Sequence, residues 1–171
     1  MALDAGAGGS AEADMELSAF VSEMRCPISQ RLALIHAAAP RPGPDDSKDR
    51  FLAISLQRRP SHYVQCIFFD GDRQMYCEAA SGVFAKGSSQ EVFFPLPAAS
   101  LQALRDLRFS GDGSHANFQI EFPIDAATGL VAVADRMSRA LYLGFGARAD
   151  DAFRFDAPLA GGEIATCTPT G

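Results

Sequence analysis

Apolar positions recur along this chain at two spacings, and the change from one to the other divides it into elements. Leu17, Phe20, Val21 and Met24 stand at i, i+3, i+4 and i+7, the spacing of one helical face. Cys26-Pro27 predicts a break, because proline cannot donate to the helical ladder and restricts the residue before it. Ile28, Leu32 and Ile35 then predict a second helix from about Ile28 to Ala38. Residues 1–14, rich in Gly, Ala and Ser with scattered acids, are expected to form a disordered tail. Pro40 to Arg50 reads as a proline-rich polar connector.

From Phe51 the period shortens to two. Phe51–Leu56 reads as a strand with Leu52, Ile54 and Leu56 on one face, and Arg58-Arg59-Pro60-Ser61 as the turn leaving it. His62 to Ala79 reads as a β-hairpin turning at Asp70-Gly71-Asp72, where glycine supplies a positive φ and aspartate tolerates one. A loop centred on Gly71-Asp72 sets Cys66 across from Cys77 and Phe68 across from Met75. The first strand of this hairpin is apolar on both faces, with Val64, Cys66 and Phe68 on one and Tyr63, Ile67 and Phe69 on the other. Such a strand is expected to be central and covered, by helices or by a partner chain.

Val83-Phe84 and Val92-Phe93-Phe94 flank a loop at residues 85–90, and Leu96 to Leu107 reads as a short helix with Leu101, Leu104 and Leu107 inward. Asn117–Ile124 alternates cleanly, Phe118, Ile120, Phe122 and Ile124 against Gln119, Glu121 and Pro123, and the proline points to an edge position. A long helix is expected from about Ala127 to Phe145, capped by Asp125, with Leu130, Val133, Ala134, Met137, Leu141 and Phe145 forming its stripe. Residues 157–171 read as an irregular tail. Together these elements predict a single α+β domain over residues 15–156. It has an antiparallel β-meander sheet of four or five strands on which the N-terminal helices, the short middle helix and the long C-terminal helix pack.

Composition narrows the function classes. A chain of 171 residues can bury a core without disulfides or metal. Its net charge of -6 and 15 scattered Lys and Arg argue against a nucleic-acid binder, which draws on clustered cations. The N-terminus has no basic and apolar leader pattern and no stretch is apolar enough to span a membrane, so a cytoplasmic location without membrane contact is expected. The cysteines, Cys26, Cys66, Cys77 and Cys167, lack metal-site spacing and in that compartment are expected to be thiols. The Cys66 and Cys77 pair reads first as core and second as a redox or metal site. No cofactor or metal is expected.

Other candidate chemistry reads more simply as architecture. Asp70-Gly71-Asp72 and Asp45-Asp46 lack the further oxygen ligands of a calcium loop. Glu78 with Asp70 or Asp72 is not accompanied by an activated nucleophile. Gly144-Phe145-Gly146 follows a helix and suits a C-cap rather than a phosphate loop, and Ser114-His115 lacks a third orienting group. More telling is a surplus of apolar surface: Tyr63, Ile67, Phe69 and Tyr76 form either an interaction face or one covered by the N-terminal helices.

Tyr63-Val64-Gln65, Tyr76-Cys77-Glu78-Ala79, the helix through Leu101 and Leu104 to Leu107-Arg108-Phe109, Asn117-Phe118 and the helix from Ala132 to Phe145 resemble the TY-Chap, or YbjN-like, domain family. The likeness covers roughly residues 50–150. Arg108 stands where that family often has glycine, and Val83-Phe84 replaces a more usual asparagine-containing turn. The resemblance implies a fold related to type III secretion chaperones, in a bacterial, dimeric protein that binds protein segments without catalysis. Tyr63, Gln65, Ile67, Phe69, Tyr76 and Glu78, alternating onto one sheet face, are the expected partner contacts. A small-molecule- or metal-responsive regulatory module built on the Cys66 and Cys77 face is the alternative.

Overall fold

The N-terminal stripe runs through its proline without a break. In the computed structural model, which describes residues 8–39, 47–85, 96–125, 129–161 and 167, one helix, α1, spans Gly8–Ala37 with Pro27 inside it. Phe20, Met24, Ile28, Leu32 and Ile35 follow one another every three or four residues on both sides of the proline, and all are buried. That continuous face compensates for the missing N–H of Pro27, whose φ is itself helical. Two expectations are corrected here: there are not two helices, and residues 8–14 belong to α1 rather than to a tail. The expected tail at residues 1–7, the connector at 40–46, the apolar run at 92–94 and most of the tail beyond Gly161 lie outside the described residues.

The sheet has five antiparallel strands in the order β4-β3-β2-β1-β5. β1 is Phe51–Leu56, β2 Arg59–Phe69 and β3 Gln74–Ala79. The turn between β1 and β2 is Gln57-Arg58, so Arg59, Pro60 and Ser61 belong to the strand instead. The hairpin register sets Cys66 against Cys77, Phe68 against Met75 and Gln65 against Glu78. Its turn holds Asp70, Gly71 and Asp72 at φ 53°, 63° and 64°, which accounts for that choice of residues. β4, Phe118–Pro123, is an edge strand beside β3, and Ser110 bridges to Gln119 on its outer side. The other edge, β5 (Phe153–Asp156), pairs with β1 from Ala53↔Asp156 to Leu56↔Phe153 and was not expected from the sequence pattern.

α2 covers Ala98–Asp106 and α3 covers Leu130–Arg139. A π-helical turn, Ala140–Gly144, continues α3. Its end is set by Gly146 at φ 67°, whose N–H donates to Tyr142 O at 3.0 Å. Gly129, not Asp125, occupies the N-cap of α3, and no side chain caps it. α1 and α3 pack together, with Arg25 forking onto Asp135 at 2.7 and 3.0 Å. The Leu104 side chain lies against Gly144 where a Cβ would fall 3.0 Å away, so the π turn sits tightly on α2.

All these helices cover the same face of the sheet. Leu52, Ile54, Leu56, Val64, Cys66, Phe68, Met75, Cys77 and Ala79 point into that core and are buried. The four cysteines are not thiols: Cys66 is bonded to Cys77 across β2 and β3, and Cys26 on α1 to Cys167. Sequence spacing misled because the partner of Cys26 lies 141 residues away, and because two cysteines directly opposed on antiparallel strands are close enough to bond.

Candidate functional site

Strand alternation places every other residue of the sheet on the face that the helices leave open. Phe51, Ala53 and Ser55 of β1, Tyr63, Gln65, Ile67 and Phe69 of β2, and Gln74, Tyr76 and Glu78 of β3 are all only half-buried. The six expected contact residues, Tyr63, Gln65, Ile67, Phe69, Tyr76 and Glu78, therefore come together on one surface. Within the register Gln65 faces Glu78 and Ile67 faces Tyr76. The alternative cover for this face, the N-terminal helices, lies on the other side of the sheet: His36 of α1 packs on Phe68 at 5.5 Å.

The open face is divided by chemistry. Near the hairpin turn Ile67, Phe69 and the neighbouring Phe51 make an apolar patch, Phe51 being opposite Ile67 on β1. Toward the other end lies a connected polar group. Asn117, itself buried, receives the Ser81 backbone N–H at 3.0 Å on Oδ1 and donates from Nδ2 to the Tyr63 hydroxyl at 2.7 Å. That hydroxyl donates to Glu78 Oε1 at 3.2 Å. The Tyr76 hydroxyl lies 3.4 Å from Glu78 Oε2 and 3.1 Å from Gln119 Oε1 and gives its one proton to either. Burial, and after it the Glu78 charge, pushes both phenols above the ordinary tyrosine pKa. They are therefore held neutral, as hydrogen-bond donors to the carboxylate.

On β1 the small side chains of Ala53 and Ser55 form the floor of an open concavity of about 850 Å³. Tyr63 and Gln65 wall it on the β2 side, Arg154 and Asp156 on the β5 side. Sequence reasoning missed Asn117, Arg154 and Asp156. The alternation Phe153-Arg154-Phe155-Asp156 is the signal for β5, but four residues are too few to separate a strand from a loop.

Elsewhere the candidate chemistry resolves into structure. The Cys66 and Cys77 sulfurs are bonded to each other, with the residues 0 and 1 % exposed, so neither is a thiolate ligand. Among the described residues no group of three or more His, Cys, Asp or Glu is arranged to hold a metal. Asp72 accepts from the Arg50 guanidinium, and Asp112 closes a local turn, its Oδ1 accepting both the N–H and the hydroxyl of Ser114. No helix among the described residues is long and apolar enough to cross a membrane. The chain has no significant match among protein-family models, curated proteins or solved structures.

Proposed function

We propose that the protein is a non-enzymatic, chaperone-like binding module that holds a segment of another protein on its open sheet face. The observation that carries this reading is the one-sided covering of the sheet among the described residues: three helices pack on the Cys66 face, while Ile67 and Phe69 on the other are only partly buried beside an ordered polar group. A partly buried apolar patch bordered by fixed hydrogen-bonding groups suits an extended or amphipathic segment, whose side chains seat on the patch while its amides meet Gln65 and Glu78. The partner segment comes either from a second copy in a homodimer or from a client protein.

The TY-Chap-like resemblance belongs to this proposal. Its helix-end glycine has a counterpart in conformation here: Arg108 sits at φ 72°, the left-handed region that glycine enters most cheaply. Cytoplasmic location also belongs to the proposal, with an amendment. Cytosolic thiol pools keep accessible cysteines reduced, so the oxidation state of the Cys26 and Cys167 pair in cells reports the compartment.

Glutamate substitution at Ile67 and at Phe69 tests the reading. Both side chains lie outside the helix-covered core, so the fold should survive, as judged by near-ultraviolet circular dichroism. Self-association by light scattering, or capture of a client by the native protein, should fall at least tenfold. Folded variants that retain both would refute it.

A further inference from the structure

We infer that the Cys26–Cys167 disulfide is a thiol-exchange site that clasps the β5 edge of the sheet to α1, whereas Cys66–Cys77 is a closed structural bond. The two bonds differ first in access. Cys66 and Cys77 are 0 and 1 % exposed beneath the helices, while Cys26 and Cys167 are each only half-buried. Thiol–disulfide exchange needs in-line approach of a thiolate to sulfur, so access separates them by rate.

They differ next in what they hold. Among the described residues β5 is an edge strand paired with β1 along four residues. Beyond it Ala157 and Ala160 are buried, and Cys167 is then joined to Cys26 on α1. A second, non-covalent link runs parallel to the bond: the Arg31 guanidinium of α1 stacks 4.2 Å over the Phe155 ring of β5. Opening the bond leaves β5 with its short ladder, this cation–π contact and the packing of Phe153 and Phe155 on the core, Phe153 lying 6.0 Å from the Phe20 ring of α1.

The site also has a polarity. Gln30, one helical turn after Cys26, directs its amide Nε2 at Cys26 Sγ from 3.3 Å. A hydrogen-bond donor on one sulfur stabilises that sulfur as a thiolate and makes it the better leaving group. The incoming thiolate of a low-molecular-weight thiol such as glutathione therefore attacks Cys167 Sγ. The S–S bond breaks, its electron pair goes to Cys26 Sγ, and a mixed disulfide forms on Cys167. A second thiolate then attacks the glutathione sulfur, releasing oxidised glutathione and the Cys167 thiolate. Two glutathione thiolates have together supplied the two electrons, and solvent supplies protons to whichever thiolates pick them up.

The test treats the full oxidised chain with graded reduced glutathione, followed by alkylation, peptide mass spectrometry and hydrogen exchange. Cys26 and Cys167 should become labelled while Cys66 and Cys77 stay bonded, and the transient glutathione adduct should map to Cys167. Gln30→Met, which keeps the side-chain length but not the donor, should slow opening about tenfold. Amide exchange in β5 should rise at least tenfold in the selectively reduced protein and in Cys167→Ser, with β2 and β3 unchanged. Simultaneous opening of both bonds, an adduct on Cys26, an unchanged rate in Gln30→Met or an unmoved β5 would each overturn the inference.

Discussion

Arg50 and Asp72 tie the C-terminus of α1 to the turn of the central hairpin. The Arg50 guanidinium, 2 % exposed, holds Asp72 through Nε at 2.7 Å and again through Nη2. Its remaining N–H groups donate to the carbonyls of Ile35, Ala38 and Ala39 at 3.0–3.4 Å. One side chain thus satisfies orphan carbonyls at the helix end and places a cation at the negative end of the helix dipole. Asp72→Asn keeps the size of the side chain and its tolerance of the local φ of 64°, yet removes the charge opposite a buried guanidinium. It is expected to lower stability by about 2–3 kcal/mol, and Arg50→Met by about 3–5 kcal/mol. Urea unfolding midpoints at pH 7 measure both; a loss below about 1 kcal/mol in each would show that the pair does not hold the hairpin to the helix.

Arg108 ends α2 in a Schellman motif, with its own N–H on Arg105 O at 2.8 Å and the Phe109 N–H on Leu104 O at 3.0 Å. Its φ of 72° costs an L-residue with a bulky side chain about 1 kcal/mol relative to glycine. Arg108→Gly should therefore stabilise the protein by about 1 kcal/mol and raise the thermal midpoint by a few degrees, while Arg108→Val should lower it. Differential scanning calorimetry of the three proteins decides it. An unchanged or lower midpoint for Arg108→Gly would contradict the assignment.

His62 is buried against Phe145, ring to ring at 5.4 Å, and burial first, with Arg59 and Arg58 adding to it, lowers its pKa to about 4. The unfolded chain, with an ordinary histidine pKa near 6.5, binds the proton more readily across the interval between. Stability is thus fully present above about pH 6.5 and falls as pH drops toward 4, by up to about 3 kcal/mol from this group. Carboxylates also titrate in that range, so the quantity to follow is the difference between the protein and His62→Gln. The gap in unfolding free energy between them should shrink or reverse on going from pH 7 to pH 4.5. A gap independent of pH would mean that His62 is not held neutral by the fold.

How far the sequence speaks for the structure differs from element to element. Strand alternation and the Asp70-Gly71-Asp72 turn were enough to set the Cys66↔Cys77 register and to gather Tyr63, Gln65, Ile67, Phe69, Tyr76 and Glu78 on one face. Both are local signals, carried by a period of two and by a φ that few residues accept. Pro27 was a local signal that failed, because the energy of a buried stripe running from Phe20 to Ile35 exceeds the cost of one lost helical bond. β5 and the Cys26–Cys167 bond are long-range facts: a four-residue strand carries little pattern, and pairing across 141 residues carries none. Which sheet face the helices cover was likewise undecided by residue type, since β2 is apolar on both sides. It is the full burial of Val64, Cys66 and Phe68 against the partial burial of Ile67 and Phe69 that separates them.

The central claim, that the open sheet face holds a protein segment, is tested most directly by a photoreactive phenylalanine analogue placed at Ile67 and, as control, at Leu34, which is 45 % exposed on α1. After irradiation of the native protein in cell extract, adducts are identified by mass spectrometry. The account predicts discrete adducts at Ile67, whether to a second copy or to a client segment, and none of the same adducts at Leu34. No adduct at Ile67, or the same set from both positions, would contradict it.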